Sequence, residues 1–205
     1  MYFYYNNSYT DSITADASKY LIQLYTSTRY HCDRYKLQVL IILAHLALLA
    51  DDNTGLLGDE PIVATTLGLG VQSVSVQFGI VNFNVTDEIH EIAKVNKLDN
   101  KLFSQAYRYD VEVLHKKKKY LRAMFEAFGA YPSGLLLELT KYMDLYPRNV
   151  NFLRMPRYAV NITQEKILDY VDVLRHDMDY TNGIYLIKSE IHRCVKQCKN
   201  LYIDV

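Results

Sequence analysis

Residues 35–50, YKLQVLIILAHLALLA, form the longest apolar run in the chain and most constrain what it can fold into. Wound as a helix, the run puts Leu37, Leu40, Ile41, Ala44 and Leu48 on one side and Val39, Ile42, Leu43, Leu46 and Leu49 on the other, so nearly its whole circumference is apolar. It is shorter than the roughly 20 apolar residues that a membrane-spanning helix needs. A helix apolar all round and too short to span belongs in the centre of a core. The run therefore predicts a mainly α, compact multi-helix domain around a buried central helix at about 33–50.

Asp33 stands before the run as its N-cap, and residues 51–53 end it. Upstream, Asp11 or Ser12 starts a helix whose Ala17, Tyr20, Leu21, Leu24 and Tyr25 share a face, and the polar patch TSTRYHCD breaks it. Downstream, Gly55, Gly58, Pro61, Gly68 and Gly70 punctuate short apolar pieces, which predicts a small β-hairpin-like element at about 55–70. VQSVSVQFGIV fits a strand through Val74, Val76 and Phe78 and a helix through Val71, Val74 and Phe78. A weaker helix, TDEIHEIAKV capped by Thr86, precedes a polar linker.

The second half reads as helical. Asp110 starts a helix that Gly129 ends, with Val113, Leu114, Leu121, Met124, Phe125 and Phe128 apolar. Ser133 is expected to cap GLLLELTKYMDLY, and Pro147 to stop it. RNVNFLRMPRYAVN reads as extended and irregular. Asn161 or Thr163 then caps a helix with Ile167, Tyr170, Val171 and Leu174 on one face, and IYLIKSEIHRCVKQCKNLYI forms the last helix. Three segments are expected: an arm and first helix at 1–32, a helical domain at 33–176, and a C-terminal extension at 177–205 packed on the same domain.

Lys plus Arg equals Asp plus Glu, at 23 each, so overall charge selects no partner. The distribution is uneven. Residues 1–100 carry 6 basic against 11 acidic side chains, and residues 101–205 carry 17 against 12, or −5 and +5. The expected reading is a solvated polar surface, with an acidic partner for the basic second half as the alternative. The start, MYFYYNNSYTDS, has neither a basic region nor an apolar stretch of secretory type, and the cysteines number three, so a reduced, cytoplasmic setting is expected. Nineteen tyrosines without a tryptophan suit an interface, and an AT-rich genome would give the same bias.

Few residues sketch chemistry. Gly68, Gly70 and Ser73 outline a phosphate loop but lack the βαβ context it requires. Cys194 and Cys198, four apart, share a helix face, whereas His192 points elsewhere; with only Cys32 besides, buried cysteines are expected rather than a metal site. His45 lies inside the apolar helix, where its ring must find a partner, expected to be a backbone carbonyl or a tyrosine. Asp51/Asp52 and Asp59/Glu60 are read as helix-end and turn residues, with metal binding as the alternative, and an enzyme using His45 or the Asp51/Asp52 pair is a third reading of the chain. Lys116, Lys117, Lys118 and Lys119 spread over all sides of a helix and form no single groove, so a solvated face is expected, with a basic patch for nucleic-acid phosphates that includes Arg122 and Lys141 as the alternative. No cofactor or metal is expected.

The order of these pieces resembles the Panacea-domain family, the SocA-like antitoxins and phage-associated GepA proteins. Lys36, Leu37 and Gln38, then Ala44, His45, Leu46 and Ala47, match that family's opening helix. Gly70 and Val71 match its Gly-Pro-Val turn, with Leu69 in place of the proline. FEAFGAYPSGLLLELTKYMDLYP and NITQEKILDYV follow its later order, with Lys141 where the family often has His and no Trp anywhere. The likeness covers roughly residues 33–173 and favours helix for VQSVSVQF. It implies a non-enzymatic protein that neutralises a toxin or host defence protein by direct contact, some members acting as adaptors to a protease, many carried by phages and prophages.

On that reading the expected partner surface comprises Asp59, Glu60, Gln72, Gln77, Arg148, Phe152, Arg154, Arg157 and Tyr158. RNVNFLRMPR with Tyr146 nearby has the Arg and aromatic composition of interface hot spots. A nucleic-acid-binding regulator, with a helix-turn-helix-like TTLGLGVQSVSVQF, is the alternative. A homo-oligomer is compatible with either, and no membrane association is expected.

Overall fold

The structure is a computed structural model, and it describes residues 13–57, 61–71, 115–148, 160–178 and 181–203. The protein is mainly α with a small antiparallel sheet. Helix α1 (Ile13–Thr26) leads into α2 (Arg34–Asp52), strands β1 (Ile62–Ala64) and β2 (Leu69–Val71) follow, and then α3 (His115–Phe128) and α4 (Ser133–Lys141). Strand β3 (Val160–Ile162), α5 (Gln164–Asp177) and α6 (Gly183–Ile203) complete the described chain. No described helix is long and apolar enough to cross a membrane.

Helix α2 is the central helix that its apolar circumference requires. Every residue from 36 to 50 is buried, and α1, α3, α4, α5, α6 and β2 all pack on it. Asp33 caps its start, its carboxylate accepting from the Lys36 amide at 3.0 Å. At the other end Asn53 turns left-handed (φ 59°) and its amide closes on the Leu49 carbonyl. Side chains of α1 and of α6 belong to the same hydrophobic core as α2.

The hairpin β1–β2 is the expected β element, and β3 is a third strand the sequence did not disclose. The order is β2-β1-β3, with Ile62 opposite both Val71 and Ile162, and Ala64 opposite Leu69 and Val160. The hairpin tip docks on α4. The Leu69 amide donates to the Thr140 hydroxyl at 2.9 Å, and a Cβ on Gly68 (φ 145°) would come within 2.6 Å of the Leu137 carbonyl oxygen, so only glycine fits there.

Helix α4 departs from expectation at both ends. Its N-cap is Pro132, with no side-chain cap bond, and Ser133 is the first helical residue. The Pro132 carbonyl accepts from the Leu136 amide at 3.1 Å. The helix stops at Lys141, well before Pro147, and tight turns take over, with Tyr142 N–H bonding Leu139 O and Tyr146 N–H bonding Met143 O. Met143 and Leu145 are both fully buried.

At α5 the cap is Thr163, whose hydroxyl accepts from the Lys166 amide, and Ile167, Tyr170, Val171 and Leu174 form its buried face. Helix α3 buries Leu121, Met124, Phe125 and Phe128 as expected and adds Tyr120. The expected elements at 72–110, the start of α3 before His115, and Asp11 or Ser12 lie outside the described residues.

Candidate functional site

The polar groups with the most chemical promise in the sequence turn out to hold α2 to its neighbours. Nδ1 of His45 accepts from the amides of Leu56 (2.9 Å) and Leu57 (3.1 Å), so its partner is a pair of backbone donors rather than the expected carbonyl or tyrosine. The ring proton therefore sits on Nε2. Burial, and secondarily the charge of Lys117, lowers its pKa to about 4, and the imidazole is neutral. Gly55 (φ 60°) lies against the ring, leaving no room for a Cβ.

Asp51 accepts from the Gly183 amide at 2.7 Å, capping α6 from the end of α2, and from the Tyr120 hydroxyl. Asp52 pairs with Lys116 and takes the Thr54 hydroxyl at 2.7 Å. Arg175 of α5 reaches back to the Leu49 (2.9 Å) and Ala50 (3.1 Å) carbonyls and the Asn53 amide oxygen (3.0 Å), which caps the helix from outside. At the opposite end Lys36 donates to the carbonyls of His31 (2.6 Å) and Gly129 (3.2 Å), and Tyr25 also donates to Gly129 at 3.1 Å. Gln38 lies against Gly70 of β2. The Lys36-Leu37-Gln38 signature is thus a clamp between helices and sheet.

Open, chemically mixed space occurs at the end of α4. A pocket of about 400 Å³ is lined by Lys141, Tyr142, Tyr146, Pro147, Arg148 and Gln197, between the turns after α4 and the last part of α6. The Tyr146 hydroxyl donates to Thr65 O at 2.6 Å and fixes this wall to the hairpin tip. Lys141 pairs with Glu138 at 2.8 Å and Arg148 with Asp144.

Behind the pocket lies a buried charge cluster. Glu190 of α6 is fully buried, and Arg193 grips it bidentately, with both nitrogens at 2.7 Å. The Tyr170 hydroxyl donates to the same carboxylate at 2.9 Å, and the Cys194 thiol lies 3.8 Å from it. Burial first, and the Glu190 charge second, raise the Tyr170 pKa and push the Cys194 thiol to about 12, so that thiol is inert. The guanidinium of Arg193 also stands 3.7 Å from Asp144. A line of alternating charge, Glu190, Arg193, Asp144, Arg148, runs from core to pocket.

Of the residues expected to meet a partner, Arg148 lines this pocket together with Tyr146. Asp59, Glu60, Gln72, Gln77, Phe152, Arg154, Arg157 and Tyr158 lie outside the described residues.

The four lysines of α3 do not share a face. Lys116 pairs with Asp52, Lys118 lies over the Tyr20 ring at 5.7 Å, and Lys119 over Tyr120 at 5.7 Å. Arg122 pairs with Glu126 at 2.9 Å. Cys32, Cys194 and Cys198 are buried and not disulfide-bonded, and no group of three metal-ligating side chains occurs among the described residues.

Sequence reasoning missed Glu190, Tyr170 and Arg193 as a unit. The available signal was a glutamate on the apolar face of α6, between Ile187, Ile191 and Cys194, with an arginine three residues on. Comparison with protein-family models, characterised proteins and solved structures gave no match.

Proposed function

We propose that the protein acts by binding another protein, as an antitoxin-like or phage-borne anti-defence factor that neutralises its partner by contact, with no catalysis of its own. The carrying observation is the pocket at the end of α4, where Lys141, Tyr142, Tyr146 and Arg148 come together at an open surface. Tyr and Arg dominate interface hot spots. Support also comes from the internal use of His45, Asp51 and Asp52, the side chains with most catalytic promise in the sequence. The Panacea resemblance supplies the class of partner, a toxin or host defence protein in a bacterial cytoplasm, with a protease as a further contact.

The test is affinity purification of the tagged protein from the organism that encodes it, beside Arg148→Ala and Tyr142→Ala variants. One protein retained by the parent and lost from either variant is the expected result. Recovery of nucleic acid alone, or of nothing, refutes the reading.

A further inference from the structure

We propose that the pocket receives an acidic side chain of the partner protein, with Arg148 and Lys141 as the cations that take its carboxylate. This rests on the protein-binding reading above and adds the chemistry of the partner. The first ground is the sign of the lining. Lys141 and Arg148 line the pocket, and their carboxylate partners Glu138 and Asp144 do not. The space therefore faces two positive charges and no negative one among its lining residues.

The second ground is that both cations can change partners at small cost. The Arg148 and Asp144 side chains are 65% and 62% exposed, and exposed pairs contribute only about 0–1 kcal/mol. If Arg148 turns to an incoming carboxylate, Asp144 still faces Arg193 at 3.7 Å. Arg193 cannot follow, because its bidentate bond to the buried Glu190 fixes it. The exchange thus leaves no charge alone. Lys141 is held by Glu138 at 2.8 Å, and Glu138 is open to water, so it stays solvated after release.

The third ground is a preformed wall. Tyr146 is anchored to Thr65, and Pro147 is rigid, so little ordering is needed when a side chain enters. A phosphodiester strand, in contrast, needs cations spaced along a groove with bases stacked on aromatics.

The experiment uses a fluorescein-labelled hexaglutamate peptide as probe and reads anisotropy against the full chain at low salt and at about 0.15 M salt. Saturable binding is expected, weakened at least about tenfold in the double variant Lys141→Glu/Arg148→Glu, with labelled hexalysine unbound. Both side chains reach solvent, so the variant should melt within a few degrees of the parent, which a thermal scan verifies. Absence of binding at millimolar protein, or equal binding by parent and variant, overturns the proposal. So does tighter, pocket-dependent binding of a twelve-nucleotide oligothymidylate, which would make phosphate the ligand. If a co-purified protein is lost on Tyr142→Ala but retained on charge reversal, the protein-binding reading stands and the acidic occupant falls. If hexaglutamate binds through the pocket but no protein co-purifies, the failure belongs to the functional reading instead.

Discussion

Replacing His45 by leucine tests whether the histidine is a structural acceptor. Its Nδ1 is the acceptor for two amides, those of Leu56 and Leu57, whose side chains are buried at 0% and 2% exposure. A buried donor left without a partner costs about 1–3 kcal/mol. Leucine's own burial offsets part of that, so His45→Leu should lose about 3 kcal/mol at pH 7. The pH dependence gives an independent check. The unfolded chain takes up the imidazole proton near pH 6.5 and the folded chain only near pH 4. Between those values the unfolded state holds more protons, so stability falls as the pH is lowered. The depressed pKa contributes fully above pH 6.5 and is lost by pH 4, again about 3 kcal/mol at 1.36 kcal/mol per pH unit. Urea unfolding followed by circular dichroism at several pH values from 4 to 7 measures both effects. The parent curve should fall toward the variant curve as the pH drops. Equal midpoints at pH 7, or parallel curves over the whole range, would refute the assignment.

Three further substitutions probe how α2 is held. Gly183→Ala drives a Cβ into the Ala47 carbonyl oxygen where α6 crosses α2, and thermal melting should show a loss of ~3 kcal/mol. Thr140→Val removes the acceptor of the Leu69 amide, and ~2 kcal/mol lost in urea, with faster amide exchange in β2, is expected. Arg175→Met keeps the length of the side chain but frees the Leu49 and Ala50 carbonyls, which should cost ~1–2 kcal/mol and increase exchange at the last turn of α2.

The elements legible in the sequence are those set by local rules. An all-apolar run predicts a central helix, Asp33 announces its cap, Thr163 is one of the two caps offered for α5, and the face of α5 follows from spacing alone. What stayed hidden depends on distant partners. Strand β3 is three residues long, too short to carry a period, and exists because β1 offers it an edge. Past the end of α4, Met143 and Leu145 are buried in the core and Tyr146 reaches Thr65, 81 residues away. The pocket inherits that limit. Arg148 and Tyr146 stand out by residue type, but Lys141, Tyr142 and Gln197 join them only once the turns after α4 meet α6.

The polar side chains in and around α2 that the structure describes do one kind of work: they hold the helix to its neighbours. A helix buried on all sides has no free face, and its neighbours must be fixed by groups placed at its ends or by rare polar residues within it. Lys36 and Asp33 fix the start, and His45 fixes the loop that leads toward the sheet. Asp51, Asp52 and Arg175 fix the end to α6, α3 and α5. Where the set is buried, at Asp33, Lys36 and His45, removing one partner leaves the other unsatisfied. Chemistry that requires exchange with solvent or a ligand is therefore poorly served there. At the end of α4 the arrangement differs, because Arg148 and Asp144 form an exposed pair that opens at small cost while Glu190 and Arg193 hold the ground behind it. That contrast, a buried central helix and an exchangeable rim, favours the pocket over the central helix for the proposed partner contact.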